Sequence, residues 1–302
     1  MQGGNWNDLQ AVLALARAGR LSSAAAAAGV DATTLGRRVR RLEARLGVTL
    51  FENTRQGQVL TEHGERAVAE IEAMETAALR IVEGDRARGR VAGHLRVSVA
   101  EGFGTWLVAR HLESFTAAHP DLAIDLVASS GFLNPSKRET DIAVTLSRPA
   151  AGPLIAGKLT DYALRIYASR GYVAAHPGVA RPADLAGGAH RLVGYVPDMI
   201  YAPELRYLSE IMPGLAADLR CPSIVTQHAA IAGSAGLGVL PCFIGESDPG
   251  LVAVLPERTI VRSFWLVTHR DTHNLARIRA FKAWLENLVR VHHAQLVPPR
   301  AA

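Results

Sequence analysis

The chain has 302 residues, of which 49% are hydrophobic and 20% are charged, so it can bury more than one core and wholesale disorder is not expected. Its two cysteines make no disulfide framework, no apolar stretch is long enough to span a membrane, and no signal peptide is visible, which together predict a soluble cytosolic protein. The net charge of +5 is concentrated in residues 1–60, which hold eight arginines against four acidic residues, and this basic end predicts a partner that carries phosphates.

The first two predicted elements are short helices. Asn7 or Asp8 can cap the first one, whose apolar residues recur at helical spacing until Gly19. Ser22 or Ser23 can cap the second, which is built mostly of alanine. Because alanine has little side-chain bulk, another helix can cross this second helix closely.

A third helix follows a glycine turn and is strongly basic. Asp31 is its predicted cap, and the pattern runs from Ala32 to Leu46 before Gly47 ends it. Its apolar residues are spaced by four, three and four, and arginines occupy the other faces. Such a helix can be merely a solvated face, but a short helix, a glycine turn and a basic amphipathic helix in this order favour a DNA-binding helix-turn-helix.

Two short β segments come next, at residues 48–52 and 58–60, around a polar turn that contains Gly57. This pattern predicts a hairpin. Arg55 lies at its tip, from which it can reach a phosphate or the minor groove. The hairpin is therefore interpreted as a wing beside the helix-turn-helix.

Residues 5 to about 64 resemble the DNA-binding domain of the LysR-type transcriptional regulators. The resembling stretches are residues 24–26 with 29–30, then 35–43, 46–52 and 60–64. The family often has glutamine where Ala32 stands, and alanine cannot make the bidentate contact with adenine that glutamine makes. The resemblance implies a winged helix-turn-helix that contacts DNA through Ser23, Thr33, Thr34, Arg37, Arg38, Arg41 and Arg55.

A long helix is predicted from Thr61, which can act as its cap. Its apolar residues, Ile71 among them, alternate at spacings near three and four, as in a coiled coil. The helix could pack within its own chain or pair with a second copy. The resemblance implies the second alternative, so we expect a dimerisation linker with Ile71 in the seam, followed by a glycine-containing hinge at residues 84–93.

The rest of the chain alternates strands and helices, which predicts α/β architecture with parallel sheets. A helix is expected at residues 106–118, another near 202–212, one from His228, and a last one at 274–292. The predicted strands are residues 94–100, 121–127, 141–146, 163–168, 191–195, 224–225, 238–240 and 263–268.

This second part resembles the family's effector domain, which is similar to periplasmic solute-binding proteins and has two α/β subdomains with a cleft between them. The predicted fold class is therefore α/β with an N-terminal all-α, winged helix-turn-helix domain. The predicted boundaries are residues 1–60 for the DNA-binding domain, 61–90 for the linker helix and hinge, and 91–302 for the effector-binding domain, with subdomain I at about 91–162 plus 268–302 and subdomain II at about 163–267.

Ligands of open α/β sheets bind at the carboxyl ends of strands, near helix N-termini. The acid at the first of these positions, Glu101, would repel a carboxylate, so a neutral or positively charged effector is expected unless Glu101 caps the following helix. The residues at such positions here, which we expect to bind the effector, are Glu101, Gly102, Phe103, Ser129, Ser130, Ser147, Tyr195, Thr226 and Gln227.

The sequence lacks the motifs of common enzyme classes: no nucleophile elbow, Walker A loop or full dinucleotide fingerprint is present. No cofactor, metal or catalytic residue is expected, and Cys221 and Cys242 are interpreted as packing residues rather than a redox switch.

The predicted function is a transcriptional regulator. The alternative is a cytosolic small-molecule-binding or enzymatic α/β protein with an N-terminal oligomerisation arm. The expected partners are double-stranded promoter DNA, an unknown small-molecule effector, RNA polymerase as a candidate, and further copies of the chain in a homodimer or homotetramer. No association with a membrane is expected.

Overall fold

The computed structural model describes residues 5–54, 57–86, 91–129, 131, 135–137 and 139–299. The chain folds as two compact units, of which the first spans Met1–Gly89 and the second takes most of the chain from Arg90 onward. The first unit contains, in chain order, α1 (Trp6–Ala18), α2 (Leu21–Ala27), α3 (Ala32–Leu46), β1 (Phe51–Thr54), β2 (Gly57–Leu60) and α4 (Glu62–Arg86).

The caps of the first helices differ from those predicted. Asn5 caps α1 by accepting a hydrogen bond from the backbone N–H of Asn7 (3.1 Å), so the helix begins at Trp6, earlier than either Asn7 or Asp8 would allow. The prediction for α2 was also wrong, because that helix begins at Leu21 without a side-chain cap and the two serines lie in its first turn. The bounds of α3 are confirmed, since Asp31 caps it and a left-handed Gly47 ends it.

The core of the first unit includes the beginning of α4. The buried faces of α1, α2 and α3 enclose residues such as Leu13, Leu35 and Leu50, and Ile71 of α4 is buried among them with 4% of its surface exposed. Arg17 of α1 also donates to the Glu75 carboxylate of α4 (2.6 Å). The expectation that Ile71 lies in a seam between two copies was therefore wrong, because this side chain completes the core of its own unit.

A glycine brings the start of α4 against the segment that precedes the wing. Thr61 caps α4 by accepting from the N–H of Gly64 (3.0 Å), as predicted, and the Thr61 N–H donates to the carbonyl of Leu50 (3.0 Å). An added Cβ at Gly64 would lie 2.1 Å from that same carbonyl oxygen. The close approach of the two segments therefore requires glycine.

The second unit is α/β. Its first helical stretch is continuous, because a π-helical turn at Gly104–Val108 joins α5 to α6. The elements are β3 (Gly93–Ala100), α5 (Glu101–Phe103), α6 (Ala109–Ala118), β4 (Leu122–Ser129), β5 (Ile142–Thr145), β6 (Leu154–Ser169), α7 (Arg170–Ala175), β7 (Leu192–Gly194), α8 (Leu208–Ile211), β8 (Leu219–Arg220), α9 (Ile224–Ala232), β9 (Leu237–Pro241), α10 (Cys242–Gly245), β10 (Leu251–Val254), β11 (Ile260–His269), α11 (Ala276–Val291) and α12 (His293–Leu296).

The described strands of this unit form one sheet in the order β4-β3-β5-β11-β6-β9-β7-β8, with β10 paired to β6. Strands β4, β3 and β5 are parallel, and so are β9, β7 and β8, as expected of two α/β halves. The long strands β6 and β11 run antiparallel through the middle and join the halves, with a register shift between Phe264 and Trp265. The sheet therefore has two parallel ends connected by an antiparallel centre.

Two predicted elements of the second unit were wrong. Residues 224–225 form no strand, because Ser223 caps α9 there by accepting from the Thr226 N–H (3.2 Å) and the helix begins at Ile224. The helix expected near 202–212 is only a 3₁₀ turn at Pro203–Leu205 followed by the four-residue α8. In the part of the chain that the structure describes, no helix is long and apolar enough to cross a membrane.

Candidate DNA interface and effector cleft

Helix α3 presents one buried face and one arginine-rich face. Leu35, Gly36, Val39 and Leu42 are buried against the rest of the first unit. The opposite side exposes Thr33, Arg37, Arg40 and Arg41, and half-buries Thr34 and Arg38. A helix with this division can lie in a major groove while its apolar side stays in the core.

Arg41, one of the expected DNA contacts, is held by a carboxylate of its own unit. Its guanidinium donates to both oxygens of Asp8, with 2.8 Å between Nε and Oδ2, and the Asp8 side chain is fully buried. This bidentate pair ties α3 to α1 and raises the pKa of Arg41 further. Arg41 therefore has a positioning role that the sequence did not indicate, because its partner lies 33 residues earlier.

Asp31 and Thr34 fix the N-terminal turn of α3. The Asp31 carboxylate accepts from the N–H and from the hydroxyl of Thr34, both at 2.7 Å. These bonds lower the pKa of Asp31. Since the hydroxyl proton of Thr34 is already used, this oxygen can offer only an acceptor to a base edge.

The wing is positioned from both sides. Glu43 of α3 accepts from the backbone N–H of Leu50 (2.7 Å), and the N–H of Gln58 donates to the carbonyl of Gly19 (2.8 Å). Gly57 comes so close to that carbonyl that an added Cβ would lie 2.4 Å from its oxygen. Arg55, expected at the tip of the wing, lies outside the described residues.

Glu101 makes its hydrogen bonds within the second unit. Its carboxylate accepts from the hydroxyl of Ser223 (2.9 Å) and from the backbone N–H of Ile224 (3.0 Å), both at the start of α9. Glu101 therefore links the end of β3 to a helix 122 residues further along the chain. The sequence had suggested a cap for the helix that follows Glu101, whereas the carboxylate meets the N-terminus of α9.

A small aromatic chamber surrounds this link and has a volume of about 30 Å³. Four of the residues expected at the effector site line it, namely Glu101, Gly102, Phe103 and Tyr195. Sequence reasoning missed its other aromatic residues because they come from distant elements without a shared pattern. These are Tyr162, Tyr201, Tyr207, Phe243 and Phe264.

The other expected effector residues lie elsewhere. Ser129 donates to the carbonyl of Gly131, the backbone of Ser147 accepts from Thr145, and Thr226 is exposed in the first turn of α9. None of the three lines the chamber. Ser130 lies outside the described residues.

Gln227 lines a larger neighbouring cavity of about 260 Å³, and its side-chain amide donates to the carbonyl of Cys221 (3.0 Å). The walls of this cavity are mainly apolar and come from the strand end at Val193 and from the segment that runs to Arg220. The two cavities share Tyr195, Leu205 and Tyr207. Both have the concave, mostly apolar character of small-molecule sites.

A winged helix-turn-helix and an α/β unit with a ligand-sized cleft, joined in one chain, define a ligand-responsive DNA-binding regulator. The model of the bacterial regulatory helix-turn-helix protein, lysR family, matches residues 6–65, and that of the LysR substrate binding domain matches residues 88–290. The chain belongs to the LysR-type transcriptional regulators. This family consists of regulators rather than enzymes, which sets aside the alternative of a small-molecule-binding or enzymatic α/β protein whose N-terminal part is only an oligomerisation arm.

Individual relatives agree with the family. The Mau operon transcriptional activator of Paracoccus denitrificans is 26% identical over 94% of this chain and 96% of its own length. The HTH-type transcriptional regulator PtxR of Pseudomonas aeruginosa is 31% identical over 60% of this chain and 59% of its own. A full-length OxyR variant from Pseudomonas aeruginosa has the same fold, with a TM-score of 0.69 at 20% identity over 96% of this chain and 98% of that one.

Proposed function

We propose that the exposed face of α3 reads promoter DNA, with Thr33, Thr34 and Arg37 at base edges. The observation that carries this proposal is the division of α3 into a packed apolar face and an exposed basic face. Arginine pairs with two acceptors of guanine, and a threonine side chain offers a hydroxyl, in Thr34 only as an acceptor, and a methyl group to a base edge. Arg41 positions the helix through Asp8.

The contacts proposed for the DNA backbone flank this helix. Ser23 is exposed at the start of α2, and Arg38 is half-buried on α3. Together with Arg55 of the wing they are proposed to bind phosphates, which position the protein without reading sequence.

The second unit is proposed to bind a small-molecule effector in the cleft that Glu101 and Tyr195 line, and thereby to alter how a pair of first units sits on DNA. An effector can do this only by binding one arrangement better than the other. A homodimer or homotetramer in the cytoplasm fits this function, with α4 as the proposed dimerisation element. Contact with RNA polymerase stays a prediction.

The experiment is a quantitative gel shift with Arg37→Ala on a cognate promoter site and on random DNA. Loss of a bidentate base contact should cost about 1–3 kcal/mol on the cognate site and much less on random DNA. Arg37→Lys should lose most of the same discrimination, because lysine keeps the charge but not the planar fork.

The matched control is Arg279→Ala, which removes an exposed arginine from α11 of the second unit. It should leave binding to both DNAs unchanged. Equal losses on cognate and random DNA for Arg37→Ala would show that Arg37 binds only phosphates, and an effect of the control of the same size would show that overall charge is responsible.

A further inference from the structure

The aromatic chamber is lined by aromatic rings around a carboxylate. Tyr162 stacks on Phe264 with 4.1 Å between ring centroids, and Phe103 packs against the same ring at 4.5 Å. Tyr195 and Tyr207 meet edge to face at 6.0 Å. Because the face of an aromatic ring is electron-rich, a chamber with such walls attracts cations.

The charges around the chamber also favour a cation. Among the described residues that line it none is a lysine or an arginine, and the one charged group is Glu101. Burial and then the Glu101 carboxylate raise the pKa of Tyr201 to about 12. Arg262 is near enough to act on Tyr162 and Tyr207, but its guanidinium is paired with Glu210.

Two hydrogen-bond acceptors remain for a ligand. The hydroxyl of Tyr162, a residue 1% exposed, interacts with the hydroxyl of Tyr207, and its oxygen keeps a lone pair that can accept from a ligand. The Glu101 carboxylate accepts two hydrogen bonds from Ser223 and Ile224, whereas a carboxylate has about four acceptor positions. The N-terminus of α9 offsets part of the negative charge but leaves these positions open.

We infer that this chamber binds the ammonium group of a small aliphatic amine, which is thereby the chemical class of the effector. The inference rests on the proposed function of the cleft and adds what the cleft recognises. An ammonium group brings up to three N–H donors, which match the acceptors of Tyr162 and Glu101, and its charge lies against the ring faces.

The size of the chamber limits the ligand. About 30 Å³ holds roughly two groups the size of a water molecule, so the ammonium and its first carbon fit inside, a second carbon lies at the boundary, and a long or branched body does not fit. A carboxylate ligand would face Glu101 without a cation to pair with. Such small ligands reach only weak affinities, so we expect dissociation constants of the order of millimolar.

The test uses the full-length chain with methylammonium or ethylammonium chloride. Methanol and ethanol serve as neutral ligands of the same size, and sodium formate and acetate as anions, all at the same ionic strength. Saturation-transfer NMR and thermal shift should show binding of the ammonium compounds at least about tenfold tighter than that of the alcohols, and none of the anions.

Three variants locate the binding. Tyr201→Leu removes a ring face from the chamber and should weaken ammonium binding about tenfold, whereas Tyr201→Phe keeps the face and should stay within about threefold. Glu101→Gln should weaken the ammonium compounds and leave the alcohols unchanged. A melting curve of each variant verifies that it folds. If Glu101→Gln destabilises α9, the comparison of Tyr201→Leu with Tyr201→Phe decides whether the ammonium binds in the chamber.

Equal binding of alcohols and ammonium compounds, tighter binding of the anions, or no difference between Tyr201→Leu and Tyr201→Phe would overturn this inference. A gel shift without ligand, made on the same protein, keeps the two proposals apart. Retained DNA binding together with absent ammonium binding would refute only the amine, whereas absent DNA binding would refute the proposed function.

Discussion

Alanine at Gly64 is expected to destabilise the first unit, although Gly64 lies within a helix. The new Cβ would lie 2.1 Å from the carbonyl oxygen of Leu50, a separation more than 1 Å too short for two such atoms. That oxygen accepts the backbone hydrogen bond of Thr61. The two segments must therefore move apart, which strains the packing and lengthens this bond.

The magnitude follows from three contributions. Replacing glycine by alanine in a helix stabilises it by about 1 kcal/mol. Overpacking costs about 1–3 kcal/mol, and a buried backbone group left without its partner costs about 1–3 kcal/mol more. The clash therefore wins, and we expect a net loss of about 1–5 kcal/mol for Gly64→Ala.

Gly36→Ala is the matched control in α3 of the same unit. Its Cβ would meet a methyl group of the half-buried Leu21 at 3.3 Å, and a side-chain end can rotate away. Helix propensity should then dominate, so this variant should be neutral or up to about 1 kcal/mol more stable. Urea titration read by hydrogen exchange in peptides of the first unit measures both changes. A Gly64→Ala protein as stable as the wild type would refute the steric argument.

Three further predictions concern other parts of the chain. Met74 is 50% exposed on α4, so Met74→Asp should weaken self-association in analytical ultracentrifugation and leave the stability of the fold normal, whereas Ile71→Asp should unfold the first unit. An unchanged oligomer for Met74→Asp would show that Met74 lies outside the interface. Because the pKa of Asp31 is lowered from 3.8 in the folded state, the contribution of Asp31 to stability is complete above that value and is lost as the pH falls through the folded pKa. The stability of Asp31→Asn should lack this loss in an acid titration, and identical titration curves for the variant and the wild type would contradict the prediction. Cys242 is fully buried, and burial is the chief reason that its pKa is raised to about 11. At pH 8 iodoacetamide should therefore label this thiol in the denatured chain but not in the native protein, and rapid labelling of the native protein would contradict the packing role.

Local signals in the sequence were sufficient for α3. Asp31 and Gly47 stand at its ends because each supplies a conformation or hydrogen bond that a neighbour cannot, so the predicted bounds agree with the structure. The same reasoning failed at α2, where two serines follow Leu21 and either could have been a cap. Their side chains lie within the helix, and packing of the alanines rather than a cap fixes its start.

Interactions between distant residues could not be predicted. The pairs Asp8–Arg41 and Glu101–Ser223 join residues 33 and 122 positions apart, and nothing in the pattern of either segment indicates its partner. For the same reason the strand ends indicated some of the residues that line the chamber, including Tyr195, but not the other tyrosines that complete it. Rings from the two central strands and from a 3₁₀-containing segment converge only after the sheet has formed.

The burial of Ile71 sets the smallest piece of this protein that can be transplanted. A chimaera that takes the DNA-binding module up to residue 60 would leave behind Ile71 and the Glu75 carboxylate that pairs with Arg17, and would expose the apolar surface that they cover. Units of about 60 residues have little stability to spare. Exchange of such modules between regulators, in the laboratory or in evolution, should therefore succeed at junctions beyond Glu75 and fail at the end of the wing.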